Sequence, residues 1–128
     1  MTPDLNMLVW AAALALVQMF VAVVGAQLQL GLPMLAGNRE SLPELTGWAG
    51  RARRAHLNLL ESLTVFAIVV LVAHVTGKAN ETTALGADLF LWGRVAYAIV
   101  YMIGIPWLRT LVWAVSVAGI ALVFSQLF

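Results

Sequence analysis

Arg54, Asn58 and Glu61 follow one another at intervals of four and three residues, with Arg51 one turn ahead of them. In an α-helix that spacing sets all four along one face. Arg94, Tyr97 and Tyr101 repeat the pattern at i, i+3 and i+7, and Arg109 follows shortly after. The chemistry available to such a set is anion binding. Arginine stays charged when buried and grips carboxylates in a bidentate fork. Four arginines face a single acid, Glu61, so the expected guest is an anion.

The segments that must position these groups read as membrane spans. Of 128 residues, 62% are hydrophobic and only 10% charged, and the mean hydropathy is +0.94. Soluble domains are about a quarter charged. Four apolar stretches stand out, Leu5–Leu30, Ala55–Val75, Ala84–Gly104 and Trp107–Phe128. Each reaches about 20 residues, the length an α-helix needs to cross about 30 Å of hydrocarbon. None alternates as a membrane β-strand does. The expected fold is an all-α integral membrane protein, a four-transmembrane-helix bundle forming one domain over residues 1–128. The first stretch has no basic leader, so it is expected to be a span and not a cleaved signal.

Composition also excludes function classes. Without cysteine there is no disulfide, thiolate metal site or cysteine nucleophile. His56 and His74 have no neighbouring second ligand, so no metal is expected. The net charge of +1 comes with no basic patch outside the spans, which argues against nucleic acid.

Arginine placement orients the bundle. Arg39, Arg51, Arg53 and Arg54 surround the first connection and Arg109 flanks the third, against Lys78 alone on the other side. By the positive-inside rule the arginine side faces the cytoplasm and both termini lie on the periplasmic side. The first connection, Gly31 to Gly50, is the only long one and the expected lid or docking segment. Gly104 and Pro106 predict a tight turn into the last span. Trp10, Trp48 and Trp107 read as interfacial belt residues. Ala11, Ala15, Ala22, Gly25 and Ala26 read as a helix-packing surface.

The second and third spans run in opposite directions, so depth can be counted from their arginine-side ends. That counting sets Arg54 level with Tyr101, Asn58 with Tyr97, and Glu61 with Arg94 about 15 Å in, at 1.5 Å per residue. A Glu61–Arg94 pair is expected as the floor, because an unpaired charge at that depth costs several kcal/mol. Arg109 would close the top. A purely structural polar network is the plain alternative, but the surplus of cations favours a binding cleft.

These residues resemble the signatures of the MAPEG family, membrane-associated proteins in eicosanoid and glutathione metabolism. The second-span signature corresponds to Arg54, Asn58 and Glu61, and the third-span signature to Arg94, Tyr97 and Tyr101. Phe90-Leu-Trp-Gly-Arg-Val-Ala-Tyr97 and Gly104-Ile-Pro-Trp-Leu-Arg109 are similar to the short bacterial branch. The resemblance implies a homotrimer in a bacterial inner membrane with glutathione, a cosubstrate, bound between neighbouring subunits. It implies glutathione transferase or peroxidase activity toward apolar electrophiles or lipid hydroperoxides entering from the bilayer. Arg109 would stabilise the thiolate and Tyr101 would lie near it, as catalytic groups. Arg51, Arg54, Asn58, Glu61, Arg94 and Tyr97 would hold the tripeptide. Where eicosanoid-type members carry an arginine at the end of the first span, this chain has Gln27 and Gln29, and Gln29 takes that place in the binding set.

His56 reads as interfacial, His74 as an interface anchor, Gln18 as an inter-helix hydrogen-bonding residue, and Thr110 as a helix cap. Asn38 and Arg39 either touch lipid headgroups or close over the cleft. The rivals to the enzyme are a non-catalytic binder of another anion and a small proton-coupled transporter using Glu61. Arg94 opposite Glu61 would hinder proton exchange and so argues against the last.

Overall fold

The computed structural model describes residues 1–39 and 42–128. Its helices in chain order are α1 (Pro3–Leu30), the short α2 (Leu32–Ala36), α3 (Gly47–Val75), α4 (Glu81–Ile103) and α5 (Pro106–Ser125). All but α2 are long and apolar enough to cross a membrane, as the four apolar stretches predict.

Local chemistry sets the ends. Thr2 Oγ1 accepts from the Leu5 amide at 3.3 Å with Pro3 at the first helical position, a favourable start for α1. Asn80 and Thr83 cap α4 reciprocally at 2.9 and 2.8 Å. Gly104 ends α4 at φ 90, a left-handed conformation that glycine adopts without a Cβ penalty, and Pro106 opens α5 two residues on. The tight turn read from Gly104 and Pro106 is therefore present.

The start of α3 differs from the reading. Residues 47–50 belong to the helix and not to the connection, and α2 occupies another part of that connection. Residues 40 and 41 of it lie outside the described residues. Hydropathy misses the early start because a polar helical turn needs only backbone partners. The side chain of Gln29 fixes this boundary: its amide donates to the Thr46 carbonyl at 2.7 Å and accepts from the Thr46 N–H at 3.0 Å. Gln29→Ala is expected to raise amide exchange over residues 45–50 and to lower stability by about 1 kcal/mol, as for two exposed hydrogen bonds. Hydrogen exchange read by mass spectrometry checks this.

The helices meet through small residues. Contact is most extensive between α4 and α5, where a Cβ on Gly86 would lie 2.5 Å from the Gly119 carbonyl oxygen, and one on Gly119 would strike the Gly86 carbonyl. Gly25 lets α1 approach Ala49 of α3 equally closely. The buried residues of α1 are Asp4, Ala11, Gln18 and Gly25, one every seven residues. Ala11 and Gly25 bear out the packing reading, whereas Ala15, Ala22 and Ala26 flank the seam half-buried. Gln18 is buried, but its Oε1 has no hydrogen-bond partner. Between α3 and α4 the rings of Phe66 and Phe90 stack at 4.0 Å. That contact holds the two helices that carry most of the polar residues.

Candidate anion-binding cleft

Above the Phe66–Phe90 stack, polar contacts join α3 to α4 all the way to the arginine-rich end. Arg94 is only 1% exposed, and its Nη1 donates to Asn58 Oδ1 at 2.8 Å. Its Nε and Nη2 are buried and have no partner. The guanidinium carbon lies 4.1 Å from the centre of the Tyr97 ring, within cation–π range. Nearer the end, Arg54 Nε donates to Tyr101 Oη at 2.9 Å. Arg109, in the first turn and a half of α5, places its guanidinium carbon 4.9 Å from the same ring. The rings of Tyr97 and Tyr101 are 5.5 Å apart, which connects the deep arginine to the outer two. Arg51 Nε donates to the Met102 carbonyl at 3.2 Å, a cation meeting the negative end of α4.

The chemistry of this cluster is one-sided. Three helices bring Arg54, Arg94 and Arg109 around two tyrosines and an amide. Arg94 uses one of its five N–H donors on Asn58 and leaves two groups buried without acceptors. Buried N–H groups of that kind cost about 1–3 kcal/mol each, more when charged, so the cluster is built short of acceptor oxygens. A family model for the MAPEG family matches residues 7–128.

This chain belongs to the MAPEG family.

No curated protein and no solved structure matches the chain. The MAPEG match runs from α1 to the chain end, so every residue of the cluster lies inside it. The structure brings together Arg51, Arg54, Asn58, Arg94, Tyr97, Tyr101 and Arg109, all expected from spacing. The Arg54–Tyr101 contact is the one the depth count gives.

Two contacts differ. Asn58 meets Arg94 and not the Tyr97 level, because the long arginine side chain covers the offset of about three residues, some 4.5 Å. The expected Glu61–Arg94 pair is absent: Arg94 bonds to Asn58, and Glu61 is exposed. Glu61 is level with Arg94, each lying seven residues in from the Arg54–Tyr101 contact. At about 100° per residue, however, it points about 60° away from Asn58 around α3, toward the outer flank. Gln29 also stands apart, with both ends of its amide engaged by Thr46.

Among the remaining residues, Thr110 does not cap α5. Ile105 is its N-cap, and the Thr110 hydroxyl donates back to the Pro106 carbonyl at 3.4 Å. His74 is exposed at the far end of α3. His56 and Arg53 line a different cavity, on the α1 side of α3. Arg53 contributes to the orientation of the bundle but belongs to neither polar face read from spacing; its one further signal is its place in the Arg51–His56 run.

Proposed function

We propose that the protein is a membrane-embedded, glutathione-dependent transferase or peroxidase acting on apolar electrophiles or lipid hydroperoxides. The observation that carries this reading is Arg94, a buried guanidinium with unpartnered N–H groups inside an arginine–tyrosine cluster of a MAPEG chain. Glutathione supplies what the cluster lacks: two carboxylates for arginines, and a thiol to be held as thiolate. Arg94, Asn58 and Arg54 take the carboxylates, with Arg51 and Tyr97 beside them. Arg109 lies over Tyr101 at the open end, where its charge lowers a thiol pKa from an ordinary value of about 8.5.

In transfer, the thiolate forms a bond to the electrophilic carbon and the leaving group departs with its electron pair. In peroxide reduction, the thiolate sulfur takes the terminal oxygen of the hydroperoxide, and the alkoxide takes up a proton to give the alcohol. A second glutathione then condenses with the sulfenic acid to yield disulfide and water. The exposed carboxylate of Glu61 has no partner on Arg94, and it meets the glutathione amine across a subunit boundary in a homotrimer. In this reading the arginine-rich end faces the cytoplasm of a bacterial inner membrane, with both termini in the periplasm.

The test is a titration of detergent-purified protein with reduced glutathione, following the thermal midpoint and thiolate absorbance. Stabilisation with appearance of thiolate at neutral pH is expected, and Arg54→Ala abolishes it. No response at millimolar glutathione, with Arg54→Ala matching the wild type, would refute the proposal. Tyr101→Phe removes the acceptor for Arg54 but keeps the ring under Arg109, so glutathione affinity is expected to fall about fivefold, the equivalent of about 1 kcal/mol. Isothermal titration measures that directly.

Binding without turnover would leave a non-catalytic anion binder. The exposure of Glu61 midway along α3 favours one other reading, proton-coupled transport. Proton-driven efflux from proteoliposomes that Glu61→Gln eliminates, together with an absent glutathione response, would select it.

A further inference from the structure

A groove of about 450 Å³ lies between α1 and α4. Its size falls within the range of ligand pockets, about 300–1,000 Å³. On α1 the wall runs from Met7 to Val17, about 15 Å at 1.5 Å per residue. On α4 it consists of Leu91, Trp92 and Val95. Every one of these residues is apolar. Trp10 and Trp92, both more than half-exposed, stand one on each wall.

One end of the groove is acidic. Asp88 precedes Leu91, Trp92 and Val95 by three, four and seven residues, so it shares their face of α4, one turn outside the groove. It is exposed, seven residues into a helix of membrane-spanning length and about 10 Å from its start. A carboxylate at such a position is costly and marks a functional site by default.

The walls of the groove offer it no cation. Between Pro3 and Leu30, α1 has no lysine, arginine or histidine. Arg94, the single basic residue of α4, lies about 120° around the helix from Asp88 and is engaged by Asn58 and the Tyr97 ring. Lys78, the one lysine, donates to the Leu127 carbonyl at 2.6 Å. His74 stands on α3, which does not line the groove. Asp4 adds a second acid at the same end of α1, one turn before Met7. It is 2% exposed, and its Oδ2 has no hydrogen-bond partner.

An apolar groove with a tryptophan on each wall and uncompensated acids at one end is complementary to a lipophilic cation. The faces of indole rings attract ammonium ions, quaternary ones included. A phospholipid fits less well, because its phosphate would meet two carboxylates. We infer that the α1–α4 groove binds a free lipophilic ammonium ion, its charge at Asp88 and its apolar body between Trp10 and Trp92. The site is separate from the arginine–tyrosine cleft, and nothing in this inference depends on glutathione being the ligand there.

The experiment uses the full chain in a neutral detergent with three probes of equal chain length: dodecyltrimethylammonium, dodecanol and dodecanoate. Native mass spectrometry counts the bound probe, and quenching of tryptophan fluorescence follows occupancy. One ammonium ion per chain is expected to bind, about tenfold more tightly than the alcohol, with no retention of the carboxylate.

Asp88→Asn keeps the shape of the side chain and removes its charge. It is expected to bring the ammonium ion down to the affinity of the alcohol and to leave the alcohol unaffected. Ala13→Phe, which fills the groove without changing charge, is expected to weaken both. Equal binding of all three probes, or unchanged ammonium binding in Asp88→Asn, overturns the inference. Two further outcomes also overturn it. Retention of phosphatidylethanolamine in preference to the free ammonium ion would make the groove a lipid site. Loss of the oligomer on Ala13→Phe would make it an interface between copies of the chain.

Discussion

Arg94→Met is expected to leave the ligand-free protein as stable as the wild type or more so, and to eliminate its thermal response to glutathione. The guanidinium is 1% exposed, bonded once, and keeps two buried groups without partners. Replacing a buried charge of this kind with an apolar chain of similar length is often neutral or stabilising, by about 1–4 kcal/mol. Asn58→Leu is expected to act in the opposite direction. It removes the one hydrogen-bond partner of Arg94 and strands the charge, which costs about 1–3 kcal/mol or more. Two substitutions at the ends of one 2.8 Å bond should therefore shift the melting temperature in opposite directions. Equal destabilisation by both would mean that Arg94 serves the fold and not a ligand. Melting curves in detergent, with and without glutathione, separate these outcomes.

Gly86→Leu is expected to disrupt the α4–α5 pair. A Cβ at this position would lie 2.5 Å from the Gly119 carbonyl oxygen and 2.9 Å from a methyl carbon of Val123. The first neighbour is backbone, so relief requires separating the helices. Leucine improves helix propensity over glycine by up to about 1 kcal/mol. Overpacking costs about 1–3 kcal/mol or more and prevails, for an expected net loss of about 2 kcal/mol. Gly37→Ala is the control, because its Cβ would meet nothing nearer than 3.4 Å at an ordinary backbone angle. Since α5 carries Arg109, the Gly86 variant should lose activity as well as stability. Denaturant titration and turnover measured on the same preparation test both effects.

The spans were legible because hydrocarbon thickness imposes a length that four apolar runs meet. The turn at Gly104–Pro106 was legible because glycine and proline have few other uses in that order. Depth was legible too, since antiparallel helices with equal rise allow residues to be counted inward from a shared end. Direction around the helix was not. Arg54, Asn58 and Glu61 share a face by the usual spacing rule, yet about 60° separates the two acceptors. That difference decides which of them Arg94 meets. The early start of α3 was hidden for another reason: its cause is Gln29, seventeen residues away, whose amide clasps Thr46. The cavity that Arg53 and His56 line was hidden because its other walls come from α1 and from the connection, far away in sequence.

The bond between Asn58 and Arg94 also bears on how the chain enters a bilayer during synthesis. The peak hydropathy of α4 is 1.3, the lowest of the four long helices, against 2.0 for α3. An arginine near the middle of a span adds about 2.5–3.5 kcal/mol to its insertion cost. Because translation proceeds from the N-terminus, α3 is already in place when α4 emerges, and Asn58 offers the incoming guanidinium an acceptor that lipid cannot. The least apolar helix is thus admitted with help from an earlier one.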